Sequence, residues 1–189
     1  MRRIVLTGGP GAGKTVIAGE LVGRQPDRLV LVPEAATESH RRLGIHWHGL
    51  DAEARRGGQR QIYRLQVEQE AAVAAAHPGK TMILDRGTVD GAAYWPDAAD
   101  DYWRAMGTSL AEEYARYDAV IWLETGAALG LYDGGGSNPA RHENPAAAVA
   151  LGRRLEALWS GHRCFGRVEA QRLMEAKIVL VEKLVNMLL

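Results

Sequence analysis

Residues 4–15 read Ile4-Val5-Leu6-Thr7-Gly8-Gly9-Pro10-Gly11-Ala12-Gly13-Lys14-Thr15, an apolar run that meets glycines at once. The run has the character of a buried parallel strand, and the segment from Gly13 to about Gly23 reads as a helix, so the glycines join strand to helix. The spacing Gly8-x-x-x-x-Gly13-Lys14-Thr15 lets backbone N–H groups converge on phosphate oxygens, and Cβ atoms at the glycines would block that approach. The helix beginning here adds the positive end of its dipole. Lys14 would then reach the β and γ phosphates of a nucleoside triphosphate, and the Thr15 hydroxyl would ligate Mg²⁺. Gly8, Gly9, Pro10, Gly11, Ala12, Gly13, Lys14, Thr15 and Val16 form the expected phosphate-contacting stretch. A chance glycine-rich turn is the competing reading, and the strand before and helix after argue against it.

Outward from this loop the chain alternates strands and helices. Leu29-Val30-Leu31-Val32 makes a second strand closed by Pro33, with a helix expected from Glu34 to Glu38. Residues from His40 to Gly58 read as an irregular excursion. A long helix follows from Gln59 to His77, with Ile62, Leu65, Ala72, Val73 and Ala76 as an apolar stripe, stopped by His77-Pro78-Gly79. Thr81-Met82-Ile83-Leu84-Asp85 is a third strand ending on an acid. Helical pieces broken at Pro96 and Gly107 lead to a fourth strand, Ala119–Leu123. The glycine-rich stretch from Gly126 to Pro145 reads as a flexible, lid-like loop. Beyond it come a helix from about Ala146 to Ser160, a short fifth strand near Val168, and an amphipathic terminal helix with Leu173, Ile178, Val181, Leu184, Val185 and Leu188. The expected fold is α/β: a three-layer P-loop NTPase fold with a five-stranded parallel sheet and helices on both faces.

Composition bounds the partners. The 189 residues fit one domain, 1–189. With 23 Lys+Arg against 23 Asp+Glu the net charge is +0, so no global positive field would draw nucleic acid or an anionic membrane. No stretch approaches the roughly 20 apolar residues that cross a bilayer. The single cysteine, Cys164, suits a reducing compartment and reads as a small buried hydrophobe. A cytoplasmic location is expected. The terminal apolar helix could serve a homodimer, but covering the sheet explains it adequately and no dimer is indicated.

Asp85 ends a hydrophobic strand, the usual place of the acid that holds Mg²⁺ directly or through water beside the Thr15 hydroxyl. Arg86 follows it, able either to neutralise charge on a transferred phosphoryl group or to pair with a carboxylate. Arg56-Gly57-Gly58-Gln59-Arg60-Gln61 echoes the signature of transporter ATPases. It lacks their preceding Leu-Ser, and Arg86 stands where their catalytic Glu would be. None of Asn138, Asn144 or Asn186 begins the Asn-Lys-x-Asp of Ras-type GTPases.

The remaining pattern is that of small P-loop kinases. The glycine loop, Pro33-Glu34-Ala35-Ala36, Asp85-Arg86-Gly87-Thr88-Val89-Asp90-Gly91-Ala92-Ala93-Tyr94 and Tyr117-Asp118-Ala119-Val120-Ile121-Trp122-Leu123-Glu124 together resemble the NadR-like AAA ATPase family, which is related to nucleoside and nucleotide kinases. The resemblance covers most of the chain and weakens after about Arg154. It implies strand order 2-3-1-4-5, ATP as nucleotide with GTP left open, Mg²⁺ on Thr15 and Asp85, and a small-molecule acceptor. It puts a carboxylate facing the acceptor at Glu34, so Glu34 is a candidate base, with a cap of the following helix as the alternative. The catalytic set is then Lys14, Glu34, Asp85, Arg86 and Arg141.

Arg141, in the glycine-rich loop, is the candidate lid arginine, while Arg153 and Arg154 read better as a solvated face. Asp90 reads as a helix start and cap, with a hydrogen bond to an acceptor hydroxyl from the cleft edge as the alternative. His46-Trp47-His48 is a weak metal pattern without further ligands nearby. Tyr94, Trp95, Tyr102 and Trp103 read as packing, and Asp97, Asp100 and Asp101 as a solvated face. A nucleotide-responsive regulatory protein and a plain NTPase remain the rival functions, because both need the same loop, lysine and acid.

Overall fold

The structure, a computed structural model, describes residues 1–43, 50–131 and 144–189, and for 40–43 the backbone alone. Five strands, β1 (Arg3–Thr7), β2 (Leu29–Val32), β3 (Thr81–Asp85), β4 (Ala119–Leu123) and β5 (Phe165–Val168), form one parallel sheet in the order β2-β3-β1-β4-β5. This is the expected order, and the architecture is the three-layer α/β fold of P-loop NTPases. β1 is central. In its register Leu6 lies beside both Asp85 of β3 and Ile121 of β4, so the segments leaving these strands emerge at one edge.

The strands are unbroken apolar runs because both faces of the sheet are covered. The pleat sends Ile4, Leu6, Ile83, Ala119, Ile121 and Leu123 to one face, where they meet Ile17, Ala18 and Leu21 of α1 (Lys14–Arg24) and Ile178, Val181 and Val185 of α8 (Met174–Leu188). Val5, Met82, Leu84 and Val120 point to the opposite face and pack with Tyr102, Trp103, Tyr117 and Trp159. The helices between are α2 (Ala35–Leu43), α3 (Ala52–Ala76), α4 (Gly91–Tyr94), α5 (Ala99–Met106), α6 (Leu110–Ala115) and α7 (Pro145–Trp159). As expected, Trp95, Tyr102 and Trp103 are packing residues, meeting edge-on at centroid distances of 5.5 and 4.9 Å. Among the described residues no helix is long and apolar enough to cross a membrane.

Two readings of the sequence need correction. The described residues between His40 and Gly58 are largely helical: α2 runs to Leu43, and α3 begins at Ala52, well before Gln59. The Asp51 side chain accepts from the Ala54 amide at 2.8 Å and caps α3. Arg56 pairs with Glu53 at 3.1 Å and with Asp97 at 2.5 Å, which supports the helix through Gly57 and Gly58. Residues 44–49, with His46-Trp47-His48, lie outside the described residues. The loop expected from Gly126 opens with a 3₁₀ turn, Gly126–Leu129, capped by the Thr125 hydroxyl. Its residues 132–143, including Asp133, Arg141 and Glu143, are outside the description.

The second correction concerns the face α3 buries. Ala72 and Ala76 of the supposed apolar stripe are exposed, and the buried residues are Gly58, Gln59, Gln66 and Glu70. Glu70 is fully buried, and its carboxylate accepts from Arg116 at 2.8 Å, Gln66 at 3.0 Å and the Tyr117 hydroxyl at 2.9 Å, with Arg3 at 3.5 Å. A polar line can be buried here because each member finds partners from another element. Replacing Glu70 by Ala removes the shared acceptor of two arginines and a tyrosine. The expected loss is about 3 kcal/mol, read as a drop of roughly 6–12 °C in a thermal melt.

Candidate functional site

The loop between β1 and α1 takes three left-handed or otherwise positive φ values, at Gly8 (139°), Gly11 (71°) and Gly13 (86°). The structure changes the reason for glycine at some of these places. A Cβ on Gly8 would sit 2.2 Å from the Leu123 oxygen, one on Gly9 would sit 2.5 Å from the Ala148 oxygen, and one on Gly13 would meet Met174 Cε at 2.8 Å. Gly8 and Gly9 therefore let the loop press against the backbone of β4 and α7, while at Gly13, where only the flexible end of Met174 is near, the positive φ is the stronger reason for glycine. Blocking of a phosphate is not what a side chain there would do first.

The loop's carbonyl groups are all engaged. Lys14 Nζ donates to the oxygens of Gly8 (2.9 Å) and Gly9 (3.0 Å), and the Thr125 hydroxyl donates to Pro10 (2.5 Å). The Gly126 amide donates to Gly11 (3.2 Å), Lys177 Nζ to Ala12 (2.8 Å), and the Ile17 amide to Gly13 (2.9 Å). With its acceptors taken by the protein, the loop and the first turn of α1 have N–H groups to offer an anion. Lys14, only 3% exposed, adds a buried positive charge.

Next to the loop, the Thr15 hydroxyl donates to Asp85 Oδ2 at 2.5 Å. Asp85 is buried, and its Oδ1 has no hydrogen-bond partner. Burial holds the Asp85 carboxyl above its ordinary range and the Glu34 carboxylate adds to this, while Lys14, Thr15 and Arg86 act in the opposite direction. A buried carboxylate oxygen without a donor, beside a threonine hydroxyl, fits one ligand pair of Mg²⁺, which takes few protein oxygens and completes its shell with water and phosphate. Among the described residues no group of three or more His, Cys, Asp or Glu could hold a metal by itself.

Across from the loop lies a charged cluster. Arg86 is the one non-glycine residue with positive φ among those described, at 79°. Its amide donates to the Leu6 oxygen (3.0 Å), and its carbonyl accepts from Gln66 (3.3 Å). The guanidinium donates to Glu34 Oε1 at 2.5 Å and Asp90 Oδ2 at 3.1 Å, and lies 5.5 Å from the Tyr94 ring centroid. The other Glu34 oxygen accepts from Thr37 at 2.5 Å. Asp90 also accepts from Thr7 at 2.9 Å and Trp159 at 2.7 Å. Asp90 stands at the start of α4 as expected, but its side chain makes no capping bond and instead joins β1, Arg86 and α7.

Lys14, Thr15, Glu34, Asp85 and Arg86 therefore gather at the carboxyl edge of the sheet, where open α/β folds bind their ligands. Arg153 and Arg154 are exposed on α7, as a solvated face requires. Asp97 pairs with Arg56, and Asp101 with Arg104. Thr125 and Lys177 were not legible as site residues. Lys177 carried a signal: it shares an i, i+4 row with Val181 and Val185, a lysine standing in an apolar stripe.

A glycine loop with its carbonyls tied back, a buried lysine and a threonine–aspartate pair on this sheet define a P-loop nucleotide-binding domain. Residues 3–169 match the family described as AAA domain, and the chain belongs to that family. Among curated proteins, none matches the chain.

The Arg86 cluster yields a prediction. Arg86→Ala leaves the Glu34 and Asp90 carboxylates without their shared cation, and the expected loss is on the order of 3 kcal/mol in denaturant unfolding. Arg86→Lys should recover only part of it, since an ammonium lacks the fork that bridges two carboxylates.

Proposed function

We propose that this chain is an ATP- and Mg²⁺-dependent kinase that transfers the γ-phosphoryl group to a hydroxyl of a small molecule. The observation that carries the reading is the Glu34–Arg86–Asp90 cluster beside Asp85. A carboxylate and a guanidinium are held with side chains about a tenth exposed, on a backbone conformation that costs about 1 kcal/mol or more. Nucleotide binding alone asks for no such arrangement. The resemblance of the Pro33–Ala36 and Asp85–Tyr94 segments to NadR-like proteins points the same way.

In this reading the loop amides and Lys14 bind the triphosphate, and Thr15 and Asp85 hold Mg²⁺. The metal would supply charge neutralisation between the β and γ phosphates. Glu34 orients the acceptor hydroxyl and takes up its proton. A carboxylate already held by a guanidinium and a threonine is a better orienter than a base, which suits a loose phosphoryl transition state that needs little proton abstraction beforehand. Arg86 supplies positive charge where it develops on the transferred group, and Arg141 does so from the lid segment 126–145. Closing that segment would exclude water and favour transfer over hydrolysis. Residues 1–189 act as one domain in this reading.

The Glu34–Arg86 pair also supports a second reading, a plain NTPase, because a carboxylate so engaged serves equally to brace the site. Glu34 separates the two. Lys14→Ala should abolish measurable ATP binding in calorimetry, and unchanged affinity would overturn the site. Glu34→Gln should keep ATP affinity within a few-fold and lower transfer on the order of a hundredfold or more. A metabolite pool incubated with γ-labelled ATP should give a labelled product; release of labelled phosphate alone would decide for the NTPase.

A further inference from the structure

Lys177 lies on α8, beyond the residues 3–169 that match the family, yet it reaches the phosphate loop. Its side chain is 3% exposed. Nζ donates to the main-chain oxygen of Ala12 at 2.8 Å and to that of Glu124, just past β4, at 2.5 Å. Neighbours on the same helix row, Val181 and Val185, are fully buried apolar residues. A methionine or leucine would continue that row at far lower desolvation cost than an ammonium. It would also leave two buried carbonyl groups without a donor.

The loop is thus held by two lysines from different parts of the chain. Lys14 takes the oxygens of Gly8 and Gly9, and Lys177 takes that of Ala12. An uncharged donor such as serine would satisfy a carbonyl; an ammonium additionally places a full positive charge under a loop that receives phosphates.

We propose that Lys177 is a positioning residue for nucleotide binding: from α8 it ties the Ala12 peptide to the end of β4, keeping the loop amides turned outward and adding a second buried ammonium, beside that of Lys14, for a triphosphate. The inference rests on reading Gly8–Thr15 as the nucleotide site. Burial pushes the Lys177 ammonium down to about 8, and the Glu124 carboxylate opposes that shift. Glu124 is the charged group facing it, with one carboxylate oxygen accepting from the Ala170 amide at 2.9 Å. On α1, Lys14 is turned to its own loop carbonyls, and Arg24 is bound to Glu175 at 2.9 Å and Glu182 at 3.2 Å of α8. The cation is therefore present below pH 8 and lost as the pH rises through it, so nucleotide affinity should fall in the same direction.

The test is calorimetric binding of Mg·ATP to the full chain between pH 7 and 9.5, with Lys177→Met and Lys177→Arg beside the unaltered protein. Lys177→Met should bind at least about tenfold more weakly at pH 7. The unaltered protein should lose affinity severalfold across the range, and Lys177→Arg, whose charge persists, should not. Wild-type affinity in a folded Lys177→Met protein overturns the proposal, whatever its melting temperature does. If neither variant folds, the unaltered protein decides against it by binding equally at pH 7 and 9.5. Failure of the unaltered protein to bind Mg·ATP at all would remove the nucleotide-site reading and this one with it.

Discussion

Backbone hydrogen bonding in the loop from Gly8 to Gly13 is the constraint on which the rest of this structure depends. A loop wedged between a sheet and a helix has six carbonyl groups to satisfy, and water cannot reach them freely. Donors come from Lys14, Thr125, Gly126, Lys177 and Ile17, spread over residues 14 to 177. Because those acceptors face the protein, the amides and the start of α1 have their donors to give. The loop binds anions as a result of how it is braced, and β4, α7 and α8 are shaped around it.

A second polar layer sits on the other side of β1. Thr7, Asp90, Arg86, Glu34 and Trp159 form one group and Glu70, Arg3, Arg116 and Tyr117 another, joined by Gln66. Thr88 joins α6 to this region, its hydroxyl donating to Glu113 at 2.5 Å and its amide to the Tyr117 hydroxyl at 2.9 Å. Such networks add little net stability over an apolar core, but they are costly to break in part, and so they fix one arrangement against alternatives. Here the arrangement they fix is the unusual backbone at Arg86, which turns the guanidinium between Glu34 and Asp90. Strain at one residue is held by bonds from β1, from Glu34 just before α2, from Gln66 of α3 and from Asp90 just before α4.

Local pattern carried a great deal. The apolar runs at residues 4–6, 29–32, 81–84 and 119–123 needed only to be counted to become strands, since continuous hydrophobicity means burial on both faces. Breaks at Pro96 and Gly107 marked short helices correctly, because these residues act through their own backbones. The helical start at Ala52 was hidden by Gly57 and Gly58, whose low propensity is outweighed by the Asp51 cap and by Arg56 reaching Asp97 across 41 residues. The buried face of α3 was hidden for a related reason: Gln66 and Glu70 look solvent-facing until Arg86, Arg116 and Tyr117 are brought to them.

From its sequence alone, then, this protein has its strands, most of its helices, and the glycine loop with Lys14, Thr15 and Asp85, because short-range periodicity and motif spacing are properties of neighbouring residues. Tertiary structure alone decided that Arg86 is shared by Glu34 and Asp90, that glycines 8 and 9 are required by the backbone of β4 and α7, and that Lys177 supports a loop more than 160 residues away in the chain. Each of these is a bond or contact between distant segments, and whether a buried charge is tolerable depends on the partner that arrives from elsewhere.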